Sequence, residues 1–213
     1  MIRFDRSQQP LAIGVSVLAG FVDAIGFVES AGFFVSFMTG NSTRLAVGAA
    51  EWKVAGLIAG AIILTFVAGV VAGTLLGARA GTRRTRTVLA FVTLILALAA
   101  MLRLSGASSA AIACLAFAMG AVNAALQGRD GSIVGVTYMT GTLVQMGQKI
   151  ANSVRGSGDA RWLHHLGLWA GLVVGATAGA RILLWSVPTG YALAVLLAAG
   201  LAVRAGIAPG DEG

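Results

Sequence analysis

Six stretches of this chain are so long and so apolar that no water-soluble globule of its size could hide them. They cover residues 11–28, 54–78, 88–102, 104–126, 162–184 and 187–203. A helix rises 1.5 Å per residue, so about 20 apolar residues cross the ~30 Å hydrocarbon layer of a bilayer. The run 88–102 is short, but Arg86 and Arg103 bracket it with stems that can snorkel to the surface. Because lipid offers the backbone no hydrogen-bond partner, runs of this length must be helices. With 57% hydrophobic and 11% charged residues among 213, the chain reads as an all-α integral membrane protein. A net charge of +7 would elsewhere suggest nucleic acid. Here the fifteen cations lie between the apolar runs, as orientation signals do, so the bilayer is the expected partner and nucleic acid is not. A single cysteine, Cys114, excludes a disulfide or thiolate metal cluster within one chain.

Two further segments, 31–50 and 132–150, are interrupted. In the first, Ser36, Thr39, Asn41, Ser42, Thr43 and Arg44 surround Gly40, which is too polar for lipid but suits a broken or re-entrant segment buried in protein. These segments also belong to a duplication. Gly20-Phe21-Val22-Asp23-Ala24 followed by Phe37-Met38-Thr39-Gly40-Asn41 recurs as Gly120-Ala121-Val122-Asn123-Ala124 followed by Tyr138-Met139-Thr140-Gly141-Thr142. A third block, from Phe66 through Gly69 and Gly73 to Gly77-Ala78-Arg79, lines up with Trp169 through Gly171 and Gly175 to Gly179-Ala180-Arg181. The halves are residues 1–103 and 104–213. With the Asp23 run paired in this way, residues 11–28 read as a retained helix and not as a cleaved leader.

Three spans per half is an odd number, so the second half enters the membrane upside down and the repeat is expected to be inverted, three plus three. Charge agrees. With both termini inside, Arg79, Arg83, Arg84 and Arg86 lie inside after the second span, whereas the matching link after the fifth span carries only Arg181 outside. Both termini are therefore expected in the cytoplasm. Were both interrupted segments to cross fully, eight spans and a parallel repeat would result, and the arginine clusters would fall on opposite sides.

Candidate site residues follow from the interruptions. Gly40 and Gly141 free the backbone to turn, while Asn41 and Thr142 can cap the helix that follows. Thr39 and Thr140 then stand at two apices that approach the bilayer middle from opposite faces, with helix amides aimed inward. Asp23 lies past the midpoint of the first span. An ionisable group there is a functional candidate by default, as a proton carrier or as the partner of Arg44 in a pair that locks the fold. Asn123 and Gln145 are the uncharged counterparts. The expected substrate-binding set is Asp23, Thr39, Gly40, Asn41, Arg44, Asn123, Thr140, Gly141 and Thr142.

Glycines 69, 73 and 77, and 167, 171, 175 and 179, recur every four residues and predict close helix packing, between the halves or between two protomers of a homo-oligomer. His164 and His165 are adjacent, about 100° apart on a helix, and suit an interface better than a metal. No catalytic or nucleotide motif is present, so neither an enzyme nor a cofactor is expected.

The motifs at 20–24, 37–41 and 138–142 resemble those of the YoaK-like family of uncharacterised multi-pass bacterial membrane proteins, catalogued as a domain of unknown function. The resemblance covers nearly the whole chain and implies a bacterial inner-membrane protein, without naming a substrate, cofactor or catalytic residue. The residues themselves point to a secondary transporter or permease for a small polar or anionic solute. A non-transporting scaffold and a passive channel are the alternatives.

Overall fold

The computed structural model describes residues 9–126, 137–157 and 162–207, which form eight α-helices and, among the described residues, no strand. In chain order these are α1 (Gln9–Glu29), α2 (Met38–Ala50), α3 (Val54–Ala80), α4 (Arg84–Leu104), α5 (Ser108–Val122), α6 (Met139–Asn152), α7 (Trp162–Trp185) and α8 (Val187–Ile207). Four stretches are long and apolar enough to cross a membrane: α1, the run Val54–Leu104, α7 and α8. The second of these holds 51 residues, about 76 Å if straight. It is instead folded in two, because α3 and α4 pack on each other and the chain turns at Gly81, whose φ of +54° suits glycine. Helix α5, with 15 residues, is the shorter apolar element.

Most boundaries follow the hydropathy pattern; α8 runs four residues past 203, and the runs 88–102 and 104–126 also differ. The run 88–102 starts four residues early, because α4 takes in Arg84 and Arg86. Arg84, expected in a charged inner link, is buried, and its Nε donates to the Ala124 carbonyl at 2.9 Å. Thr85 Oγ1 donates likewise to the Ala125 carbonyl at 2.9 Å. Gly77 leaves room for the Arg84 side chain, so it serves that arginine and no helix-packing groove. The run 104–126 shrinks to α5 for two reasons. A turn through Gly106 at φ +89° takes its beginning, and the backbone leaves the helix at Asn123.

Helix α1 is the centre of the bundle. In its most apolar window 61% of residues are buried, against 22 to 33% for the other three candidate spans. Glycine decides how closely its neighbours approach. A Cβ on Gly20 would strike the Leu172 carbonyl oxygen, and one on Gly175 or Gly179 would strike the carbonyls of Val17 or Phe21. Helices α1 and α7 therefore touch backbone to backbone. Helices α3 and α5 do the same, with Gly120 on the Phe66 carbonyl, Gly69 on that of Phe117 and Gly73 on that of Ala121. The glycine faces are thus spent inside the chain, joining the two halves. The contacts also reset the register of the third block: Gly69 and Gly73 correspond to Gly175 and Gly179, one turn away from the match with Gly171 and Gly175. A four-residue glycine ladder fits itself equally well after a shift of one rung, so the sequence blocks could not choose.

The same contacts give directions. Ile13, Val17 and Phe21 meet Gly171, Gly175 and Gly179 in ascending order, so α1 and α7 run the same way. Phe117 and Ala121 meet Gly69 and Gly73, so α3 and α5 do too. Glu29 at the end of α1 pairs with Arg103 at the end of α4, which aligns those helices. Arg86, near the start of α4, lies against Gly206 at the end of α8, which opposes that pair. Helices α1, α4 and α7 run one way, and α3, α5 and α8 the other.

Candidate functional site

Between the opposed helices α1 and α3 the chain makes an inward excursion. Residues 30–37 fold back along α1, and then α2 packs antiparallel on α3, with Gly48 against Gly56 and Leu45 beside Gly60. That register carries Met38, the first residue of α2, to the level of Phe66 and Val67 near the middle of α3. Apolar contacts seat the excursion. Val35 is fully buried where Gly26 has no side chain, and Phe34 packs between Phe27, tilted to it, and Phe37, edge-on to it, at centroid distances of 4.8 and 5.7 Å. Gly40 leaves the space that the Phe34 ring fills.

Two polar side chains hold the excursion at depth. Asp23, 4% exposed, accepts hydrogen bonds at Oδ1 from the Val35 amide at 2.8 Å and the Ser36 amide at 2.7 Å. Asn41, wholly buried, accepts from the Phe34 amide at 3.1 Å through Oδ1 and donates through Nδ2 to the Phe34 carbonyl at 2.5 Å. An extended loop has backbone groups that no helix satisfies, and these side chains supply what water would supply elsewhere.

The second half repeats the device. Asn123, 5% exposed, accepts from the Thr137 hydroxyl at 3.0 Å and the Thr137 amide at 3.4 Å, and donates to the Met119 carbonyl at 2.8 Å. Thr137 stands where Ser36 stands in the first half, two residues before the Met that begins the short helix. Helix α6 then packs on α7 as α2 packs on α3.

The family model for a protein of unknown function, DUF1275, matches residues 11–206. This chain belongs to the DUF1275 family. A UPF0700 transmembrane protein of Rhizobium meliloti is similar to it, with 37% identity over 183 residues that cover 84% of this chain and 79% of the relative. No solved structure matches. The family is one of uncharacterised multi-pass membrane proteins, as the motifs implied.

Within this DUF1275 fold the expected site residues differ in burial, with Gly40 and Thr142 half-buried and the other seven at the two extremes. Asp23, Asn41 and Asn123 are buried and engaged with backbone, while Thr39, Arg44, Thr140 and Gly141 are exposed. The expected Asp23–Arg44 pair does not form, since Asp23 is bound by amides and the Arg44 guanidinium lies 5.1 Å from the Phe33 ring centroid. The Thr-Gly motifs are not at the turns. Both lie in the first helical turn, behind Phe37 and Tyr138 as N-terminal caps, and neither Asn41 nor Thr142 caps by its side chain. Thr142 bonds back to the Tyr138 carbonyl at 3.2 Å. The two apices are carried by different helices, α2 packing on α3 and α6 on α7. The space between the halves is filled by Leu18, Val22, Leu115, Met119 and Val122, all fully buried. Among the described residues, the hydroxyls of Thr39 and Thr140 make no hydrogen bond, unlike those of Ser42, Thr43 and Thr142. The sequence reading missed Arg84 and the Glu29–Arg103 pair. An acid at the end of an apolar run was the available signal for Glu29.

Proposed function

We propose that this protein is a permease for a small polar or anionic solute, built as an inverted three-plus-three repeat in which α2 and α6 are re-entrant arms. The alternating helix directions support the inversion. Helices α1 and α3 are opposed, so the chain between them leaves and returns at one end of the bundle, and α5 and α7 are opposed in the same way. The exposed Thr39 and Thr140 hydroxyls carry the transport reading. Each stands at the first turn of a helix that begins inside the membrane layer, free of protein partners among the described residues, where lipid would leave it unsatisfied. A water-filled path along the arms satisfies both, and the helix starts add amide donors suited to an anionic or hydrogen-bonding solute. Asp23 in this reading positions the first arm and is not itself the solute ligand.

A non-transporting scaffold is the second reading, and the solid packing between α1 and α5 favours it. Uptake into proteoliposomes, screened over solute pools with and without a pH gradient, separates the two. A solute taken up by the wild type and lost in the double variant Thr39→Val, Thr140→Val, with its fold intact, supports the permease. No uptake of any pool, or uptake unaffected by the double variant, contradicts it.

A further inference from the structure

Helix α4 carries a groove on each of its flanks. One, of about 480 Å³, runs between α4 and α8 from Arg86 and Gly206 to Leu94 and Ala199. The other, of about 500 Å³, runs between α4 and α3 from Arg83 and Arg86 to Phe91 and Leu94. Arg86, Ala90 and Leu94 line both. Each groove therefore has arginine at the end where α4 begins and a mainly apolar lining for the next two turns, about 12 Å, interrupted by Thr93 in the first and Thr87 in the second. The three acids of the described residues are engaged away from these arginines. Among the described residues, Asp23 is held by amides, Glu29 by Arg103 and Glu51 by Lys53. Arg83 and Arg86 are exposed, and the Arg86 stem is steered across the α8 end by the missing side chain of Gly206.

We propose that α4 is the seat of an anionic phospholipid of the surrounding bilayer, with its phosphate on Arg83 and Arg86 and its acyl chains in the two flanking grooves. Charge complementarity selects this occupant. A cationic pair at the mouth of an apolar groove on the lipid-facing side matches a phosphate attached to hydrocarbon, whereas a zwitterionic headgroup brings its own cation to the same place. The two grooves meet at Arg86, so one headgroup can serve chains on both sides of the helix.

Detergent-purified full-length protein titrated with phosphatidylglycerol, phosphatidylcholine or inorganic phosphate, with melting temperature as the readout, tests this. Phosphatidylglycerol should raise the melting temperature, and the other two should do so weakly or not at all. Arg83→Gln with Arg86→Gln should weaken the apparent lipid affinity roughly 30-fold, about fivefold for each arginine, while Arg181→Gln at the other end of the bundle leaves it unchanged. Ala90→Phe, which puts a ring on the ridge shared by both grooves without changing charge, should weaken it as well and provides a second variant should the arginine pair fail to fold. Equal stabilisation by phosphatidylcholine or by inorganic phosphate would overturn the proposal. So would full retention of the phosphatidylglycerol effect in either folded variant.

Discussion

Asp23 in the first half and Asn123 in the second do one job with different chemistry. Both are buried side chains, Asp23 within α1 and Asn123 just past the end of α5, and both offer an oxygen to the chain that precedes a short helix. The carboxylate, with no proton to give, accepts from two successive amides. The carboxamide accepts from one residue, Thr137, through its amide and its hydroxyl, and sends its own NH₂ back to the Met119 carbonyl. What the halves share is therefore an acceptor at a fixed depth, and charge is the part that varies. An ionised carboxylate accepts hydrogen bonds about twice as strong as neutral ones, which suits a position where two amides converge on one oxygen.

That comparison can be broken at several levels of energy. The largest effect belongs to the glycines that let the halves touch. Gly20→Leu and Gly120→Leu should each abolish folding, and even Gly20→Ala should cost about 3 kcal/mol, because the new carbon meets a carbonyl that cannot move aside. Similar loss of yield and melting temperature in both variants would confirm that the contacts are equivalent. Next come the clamps. Asp23→Ala strands two buried amides held at 2.7 and 2.8 Å and should cost about 3 kcal/mol, while Asn123→Ala loses a longer 3.4 Å amide contact and a bond to a hydroxyl that can rotate, and should cost about 2. Thermal unfolding in detergent that ranked them in the reverse order would break the proposed correspondence. Asp23→Asn should be milder, about 1 kcal/mol, since its Oδ1 still accepts and its NH₂ can reach the Ala19 carbonyl as that of Asn123 reaches Met119. The smallest effect is reserved for Arg44→Gln, under about 1 kcal/mol for an exposed cation over a ring. A collapse of the fold in that variant would reinstate an ion pair with Asp23.

How much of this could be read from the chain depends on what kind of group does the work. The run 11–28 marks α1 to within two residues of each boundary because burial demands apolar side chains there. The paired motifs marked the excursion and the matching Asn123–Thr137 contact, since Asp23 and Asn123 are conspicuous in apolar surroundings. Their partners were not legible. Backbone amides exist at every position, so nothing in the letters distinguishes Val35 and Ser36 from their neighbours, and Arg44, the nearest cation, was the visible candidate. Arg84 was hidden for the opposite reason: it sits among three other arginines within eight residues, and only the tertiary position of Ala124 tells it apart. The Thr-Gly pairs looked like turns because glycine usually signals one, yet Gly40 is there to make room for Phe34.

The central claim is that α2 enters the membrane layer and returns without crossing. On a Cys114→Ala background, Ala31→Cys and Trp52→Cys place one thiol at each end of the excursion, both at exposed positions, and Thr82→Cys places one at the turn between α3 and α4. Labelling of intact cells with a membrane-impermeant maleimide should treat positions 31 and 52 alike and position 82 oppositely. Labelling of 31 and 52 from opposite sides of the membrane would mean that α2 spans it, and the re-entrant account would be wrong.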